Sequence, residues 1–441
     1  MEKYLELCPL DSRYSDIKEL LSPFFSEYSY VYYRVFVEIK WLIYLINNDL
    51  IDGDIEKINT IYENFDLKSF KKVKDEESIT NHDVKAIEYF IDKELKKLNM
   101  SSLISFVHFG ATSEDINNTA YALMIKEFLN KVYYPKIDEF ILYLKELSDL
   151  YKNTTILAHT HGQPATPTTI GKEFKVYIYR ITEEVKKLKN IEIKAKFNGA
   201  TGNYSAFKVA YPDIDVLNFS KKFIENLDLT FNPLTTQIEN HDYIVSITDI
   251  IRHINNIIMD LNLDMWLYIS YGYFKLRVVS HEVGSSTMPH KVNPINFENS
   301  ESNLETSNSL LIMLSNKLPK SRMQRDLSDS STLRNLGIAF GYSIQGIKES
   351  LKGLKRVSVN EEKVKQELLD NYEVLGEAIQ TVLRKNKQEN AYEKLKELTR
   401  GKKVTKKEIQ EFIKSLDISD DDKKVLLELE PSNYIGIANI L

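Results

Sequence analysis

Ile244, Ile247, Ile251, Ile254, Ile258, Leu261 and Met265 follow one another at steps of three or four without interruption. That spacing keeps one face of an α-helix in line for about six turns, and no β-strand pattern reproduces it. Ile250 and Ile257 add a second apolar line, so this helix is expected to be covered on more than one side. Ile170, Phe174, Ile178, Ile181, Val185 and Leu188 form a similar stripe, and the stretch from Tyr121 to Tyr151 is helical by pattern, with a break or kink at Pro135. The 441 residues hold only 15 glycines and 11 prolines, so turns are few and long helices are favoured. Long helices with this spacing pack at shallow angles, and the expected fold is all-α around a central helix bundle.

Three regions are expected. Residues 1–115 mix short helical patterns with loops, residues 116–360 form the bundle, and residues 361–441 are charged and helical. In the last region Thr405 and Glu408 have capping-box spacing, and Ser419 precedes an acidic first turn. Helices this extended expose more apolar surface than one chain covers, which points to an oligomer; an elongated monomeric bundle is the alternative.

Charge excludes some classes. Lys and Arg number 58 against 64 Asp and Glu, a net charge of −6, which does not suit a nucleic-acid or membrane-surface binder. An anionic ligand would have to be held by local positive groups. One cysteine, Cys8, cannot form an internal disulfide, and no secretory signal or membrane-spanning apolar run is visible, so a cytoplasmic location is expected.

Four segments carry polar chemistry. The first is Gly284-Ser285-Ser286-Thr287-Met288-Pro289-His290-Lys291-Val292-Asn293-Pro294, a small polar loop with an internal cation, ending in a good N-cap and a good first helical residue. It suits an anion site and equally suits an interhelical connection. The second, Thr160-His161-Gly162-Gln163-Pro164-Ala165-Thr166-Pro167, holds a histidine in a turn before a helix, where proton transfer and helix capping are both open. His159 and His161 form an H-x-H pair without a third ligand at a convincing spacing, so no metal site is expected. The third pairs Thr80-Asn81-His82-Asp83-Val84-Lys85 with Thr112-Ser113-Glu114-Asp115, either of which helix capping alone explains. The fourth, residues 321–334, sets Arg322, Arg325 and Arg334 among hydroxyl residues, as for a phosphate, or for a solvated loop with local ion pairs. No P-loop, dinucleotide fingerprint or nucleophile elbow is present, and no cofactor is expected.

Together these segments resemble the aspartase/fumarase superfamily. GSSTMPHKVNP at 284–294 matches its signature loop, with His290 where fumarases carry Gly and argininosuccinate lyases Gln. PLDSRYSD, NHDVKAIEYF, TSEDINN, THGQPATP and the closing PSNYIG are similar to the bacterial-type adenylosuccinate lyases, so the resemblance covers nearly the whole chain. It implies a three-domain fold with a central long-helix bundle, and a homotetramer whose active sites are each built from three subunits. The implied chemistry is β-elimination of fumarate from two succinylated purine-pathway nucleotides. Alternatives are another fumarate-releasing lyase, such as argininosuccinate lyase or fumarase, or a crystallin-like structural relative.

The resemblance also implies residue roles. Ser285 is the base and His161 the acid, with Lys291 stabilising the serine alkoxide and Glu298 orienting His161. Thr112, Ser113, Gln237, Lys291 and Asn293 would hold the succinyl carboxylates, with Ser286 and Asn299 as further substrate contacts. Arg13, Tyr14, Arg325, Ser330 and Arg334 would hold the phosphate. Asn81, His82 and Asp83 would line the nucleotide side, with His82 as rival for the acid role.

Overall fold

The computed structural model describes residues 6–277, 287–288, 290–399 and 403–441. Helices dominate. The longest are Glu27–Asn47, Ser113–Phe128, Tyr134–Leu150, Ile170–Lys189, Asp242–Ser270, Ile295–Lys317 and Leu336–Leu354. Both sequence stripes lie inside helices, and Ile244, Ile247, Ile251, Ile254, Ile258, Leu261 and Met265 are all buried. The all-helical expectation holds with small exceptions, which among the described residues are three two-stranded pairings, 155–160 with 163–169, 194–195 with 230–231, and 274–276 with 357–359.

The expected break at Pro135 takes a definite form. The helix that ends at Phe128 passes through a π-helical turn, Leu129–Tyr133, into the helix beginning at Tyr134. Proline lacks the N–H that an α-turn needs, and a widened turn just before it accommodates the loss without ending the rod. The C-terminal caps form as read: Thr405 and Glu408 make both arms of a capping box, and the Ser419 side chain accepts from Asp422 N–H. The helix after the signature loop starts at Ile295, one residue beyond Pro294.

The chain divides into two compact units. One comprises Met1–Ile137, Glu184–Asn256 and Ser302–Ile347, and the other Asp138–Glu183, Ile257–Glu301 and Lys348–Leu441. Each cut falls inside a long helix.

In the first unit, Trp41 packs on Phe197 and Phe223 at ring separations of 4.2 and 4.9 Å, and its indole donates to the Phe109 carbonyl at 2.9 Å. That bond anchors the loop leading to Thr112. His108, at φ +59°, lies 2.6 Å from the buried Glu38 and fixes the same loop a second time. In the second unit, Gly171 sits so close to the preceding helix that a Cβ there would lie 2.4 Å from the Ser148 carbonyl oxygen.

A buried polar triplet appears once in each unit. In the first, Asn255 donates to Ser307 at 3.2 Å and accepts from Ser343 at 2.7 Å. In the second, Asn262 donates to Ser300 at 2.9 Å and accepts from Ser350 at 2.6 Å. All six side chains are buried, and the hydrogen bonds offset the desolvation that would otherwise make such residues costly.

Candidate active site

In the first unit the helix Ser113–Phe128 opens with two buried carboxylates. Asp115 accepts from the N–H groups of Thr112 (2.9 Å), Asn198 (2.8 Å) and Gly199 (3.0 Å) and pairs with the buried Lys196 at 2.9 Å. It ties the Thr112 turn to the 196–199 strand end. Glu114 accepts from Asn117 at 2.7 Å and pairs with Arg325 at 3.1 Å. Arg325 also donates to the Gln237 side-chain carbonyl at 3.2 Å, and the Gln237 amide donates to the Ala200 carbonyl at 2.8 Å. Thr112, Ser113, Gln237 and Arg325 thus share one neighbourhood, drawn from three distant parts of the sequence. Arg322, by contrast, makes a local pair with Asp326, at 3.0 Å, and no other ion pair among the described residues.

A second group centres on the ring of Tyr30. The Arg34 guanidinium lies 3.6 Å from the ring centroid and that of Arg334 at 5.5 Å. Arg34 is paired with Asp83 at 2.7 Å, and Arg334 with Glu27. Asp83 therefore reaches the ring through Arg34, and Arg334 reaches it directly. Beside it is a cavity of about 240 Å³ lined by Tyr30, Tyr121, Leu333 and Arg334, among others. Ser330 lies on the short helix Ser328–Leu333, which Arg334 terminates. That helix is tied back by His241, a buried residue at φ +62°, whose Nε2 lies 3.4 Å from Asp329 and whose N–H donates to Glu239 at 2.6 Å.

Other residues of this unit are placed more simply. Asn81 is the left-handed C-cap of Leu67–Thr80, and His82 is the N-cap of Asp83–Lys97, its Nδ1 accepting from Lys85 N–H at 3.1 Å. That bond assigns the remaining ring proton to Nε2. Tyr14 stands at the start of Ser15–Phe25, and Arg13 is exposed with no ion-pair partner among the described residues. The structure does not join Arg13 to Arg334.

In the second unit, THGQPATP forms an antiparallel hairpin and not a simple turn before a helix. Thr155–Thr160 pairs with Gln163–Thr169, with His161 and Gly162 at its tip. Their φ values of +53° and +70° are those of a two-residue turn whose twist matches the strands. β-Branched residues along both strands explain why extended structure wins here. His161 is exposed and has no hydrogen-bond or ion-pair partner among the described residues. Lys291 is exposed and Asn293 and Asn299 are half-buried. Glu298 accepts from the Trp266 indole at 3.1 Å, so within one chain its partner is Trp266. Ser285 and Ser286 lie outside the described residues.

Sequence reasoning missed the supporting partners: Arg34, Glu38, Asn117, Lys196 and His241. It also gave no role to Glu114, although the TSEDINN run containing it was singled out. A carboxylate one residue into a helix next to a Thr-Ser cap, with Asn117 one turn on, is the available signal; Arg34, Glu38, Lys196 and His241 are known only through long-range pairing.

The comparisons bear on the whole chain. A Lyase family model matches residues 43–305, and an adenylosuccinate lyase C-terminal model matches residues 321–435. The adenylosuccinate lyase of Buchnera aphidicola subsp. Schizaphis graminum is 48% identical, over 98% of this chain and 97% of its own length. That of Legionella pneumophila (strain Corby) is 47% identical, over 99% and 97%.

The chain belongs to the adenylosuccinate lyase family.

The adenylosuccinate lyase of Escherichia coli (strain K12) is 44% identical over 98% of this chain and 96% of its own. Among solved structures, a fumarate lyase from Mesorhizobium sp. BNC1 superposes with a TM-score of 0.76 at 17% identity, covering 97% of this chain and 96% of that one. A 3-carboxy-cis,cis-muconate lactonizing enzyme from Pseudomonas putida gives 0.74 at 18%, covering 97% and 94%. These two show the fold alone. The family resemblance read from the motifs is borne out, and so is the expected fold class. No helix among the described residues is long and apolar enough to cross a membrane.

Proposed function

We propose that this chain eliminates fumarate from adenylosuccinate, giving AMP, and from the succinylated aminoimidazole carboxamide ribotide of purine nucleotide biosynthesis. The observation that carries the reading is 48% identity, across nearly the full length of both chains, to a curated adenylosuccinate lyase.

A β-elimination removes a proton from the carbon beside a carboxylate. The C–H electron pair becomes the new C=C bond as the C–N bond breaks, and the departing nitrogen takes a proton. Negative charge builds on the carboxylate during the first step, so groups that meet that charge lower the barrier. Ser285 takes the carbon proton, as an alkoxide favoured by Lys291 and the N–H groups of its loop. His161 protonates the leaving nitrogen, and Glu298 orients its ring. Thr112, Ser113, Gln237 and Asn293 hold the succinyl carboxylates, with Ser286 and Asn299 beside them. Arg13, Tyr14, Arg325, Ser330 and Arg334 hold the phosphate, and Asn81, His82 and Asp83 line the nucleotide side. Arg325 is pre-oriented for this by Glu114 and Gln237, which reduces the ordering cost of binding.

The working form is a homotetramer in the cytoplasm, its chain divided into regions 1–115, 116–360 and 361–441 and its active sites each built from three subunits. Support comes from the partnerless His161 at an exposed hairpin tip, from Glu298 being turned to Trp266 within its own chain, and from large apolar residues exposed on the long helices: Tyr179, Leu263 and Leu267.

The test is the ultraviolet change on adding adenylosuccinate to the pure protein, with fumarate measured alongside. Turnover that falls by about 10² or more in both Ser285→Ala and His161→Ala is the expected result. A pure protein that leaves adenylosuccinate intact but releases fumarate from argininosuccinate, malate or aspartate would replace this reading.

A further inference from the structure

A two-stranded hairpin is barely stable in water without outside support, yet His161 stands at the end of one. Its root is well held. Leu157 forms a small buried cluster with Leu368 and Val374, and the Thr155 hydroxyl donates to the Ser432 carbonyl at 2.9 Å. Beyond the root, the pairing register slips between Leu157 and His159, an irregularity of the kind that re-aims a side chain. Residues 160–164, the tip itself, are exposed.

His159 is the last anchored side chain before that tip. Its ring lies nearly parallel to Tyr271, at 16° and 5.6 Å, and its Nε2 is 3.8 Å from Oε1 of Glu367. Glu367 belongs to the helix Glu361–Leu369, whose next residue is the Leu368 that packs on Leu157. The other Glu367 oxygen is buried, has no hydrogen-bond partner among the described residues and faces Lys363 at 3.8 Å. Tyr273 stands on the same side of His159. Burial first, and the Glu367 carboxylate second, push its phenol pKa up, so it stays a neutral neighbour. Only about a fifth of either the His159 or the Glu367 side chain is exposed, so the imidazole–carboxylate contact is largely shielded from solvent.

We infer that Glu367, acting through His159, is a positioning contact that sets the pose of His161, so that the 361–369 helix controls the reach of the reaction's acid. Its catalytic consequence rests on the role proposed for His161; its structural content does not. The hairpin root would survive loss of the contact, because Leu157 and Thr155 are held independently. What is lost is the definition of the tip.

Two variants separate these parts. Glu367→Gln removes the charge and keeps the shape, while His159→Phe keeps the ring on Tyr271 and loses the pairing. Hydrogen–deuterium exchange in the full-length protein should show amides in 160–163 exchanging about tenfold faster in both, with Glu361–Leu369 and the 170–189 helix unchanged. Steady-state assays with adenylosuccinate should show kcat down about tenfold and KM within about twofold. Glu367→Asp, which keeps the charge, should recover most of both losses and serves if either first variant unfolds. Unchanged tip exchange in a folded variant would overturn the inference, as would a raised KM at constant kcat. A wild-type protein inert on adenylosuccinate would remove the proposed function instead, and the exchange result alone would then decide this point.

Discussion

Arg34 is 1% exposed and meets the ring of Tyr30 on one side and the Asp83 carboxylate on the other. Burial opposes ionisation of Asp83, but the charge and hydrogen bonds of Arg34 outweigh it and hold the carboxyl below its ordinary 3.8. A carboxyl depressed in the folded state contributes its full stability above the unfolded value and loses it as acid takes the protein through the lower folded value. Asp83→Asn should therefore be less stable than the parent by about 3 kcal/mol at neutral pH, because a buried guanidinium loses its counter-charge. Urea titrations should show the gap narrowing below about pH 4; a gap of constant size would rule the ion pair out as its source. Arg325 makes a different prediction. If it holds the phosphate as proposed, Glu114 and Gln237 orient it before the substrate arrives, so Arg325→Ala should raise KM about 10- to 100-fold and change kcat little. An unchanged KM would remove it from the phosphate site. These residues illustrate what one sequence discloses at this scale. Asp83, Thr112 and Arg325 stood out as polar groups in unusual company. Arg34 and the role of Glu114 did not, because their partners Asp83 and Arg325 lie 49 and 211 positions away, and periodicity carries no trace of such pairs.

Elements were legible where one period ran long enough to leave a single interpretation. The stripes at 170–188 and 244–265 became helices with those residues buried, Ile178 alone being half-buried, and Pro135 marked the disturbance that the π-helical turn absorbs. The hairpin at 155–169 was hidden because its strands are short, polar and broken by Pro164 and Pro167, which suggest a loop. Gly171 was equally silent, since a glycine one residue into a helix looks like a weakness. Its purpose is clearance: the Ser148 hydroxyl donates to the Gly171 carbonyl at 2.8 Å, and the Gly171 N–H donates to Tyr151 at 3.0 Å. Gly171→Ala would place a methyl 2.4 Å from backbone oxygen and 2.6 Å from the Lys152 Cα. Backbone cannot swing aside as a side chain can, so a loss of about 2 kcal/mol is expected, seen as a lower urea midpoint at unchanged slope. A midpoint equal to the parent's would mean the helix ends shift freely.

At the scale of the whole molecule, the shared-site reading predicts complementation. His161→Ala and Lys291→Ala, each nearly inactive alone, should together regain turnover well above the sum of the two when coexpressed or refolded as a mixture. Some sites then receive the intact residue from each parent. Mixed assemblies no more active than their parents would place both residues in a site built by a single chain. The Asn–Ser–Ser triplets bear on how such an assembly keeps its helices aligned. Asn255 and Asn262 are one heptad apart, as are Ser300 and Ser307, and Ser343 and Ser350. Within each unit, sliding one of these helices by a turn would part the asparagine from both of its serines and leave buried amide and hydroxyl groups without those partners. Each triplet therefore acts as a detent that one alignment alone engages, and a neighbouring contact in the same unit holds that alignment too: Asn308 to Asn256 in the first and Asn296 to Glu349 in the second.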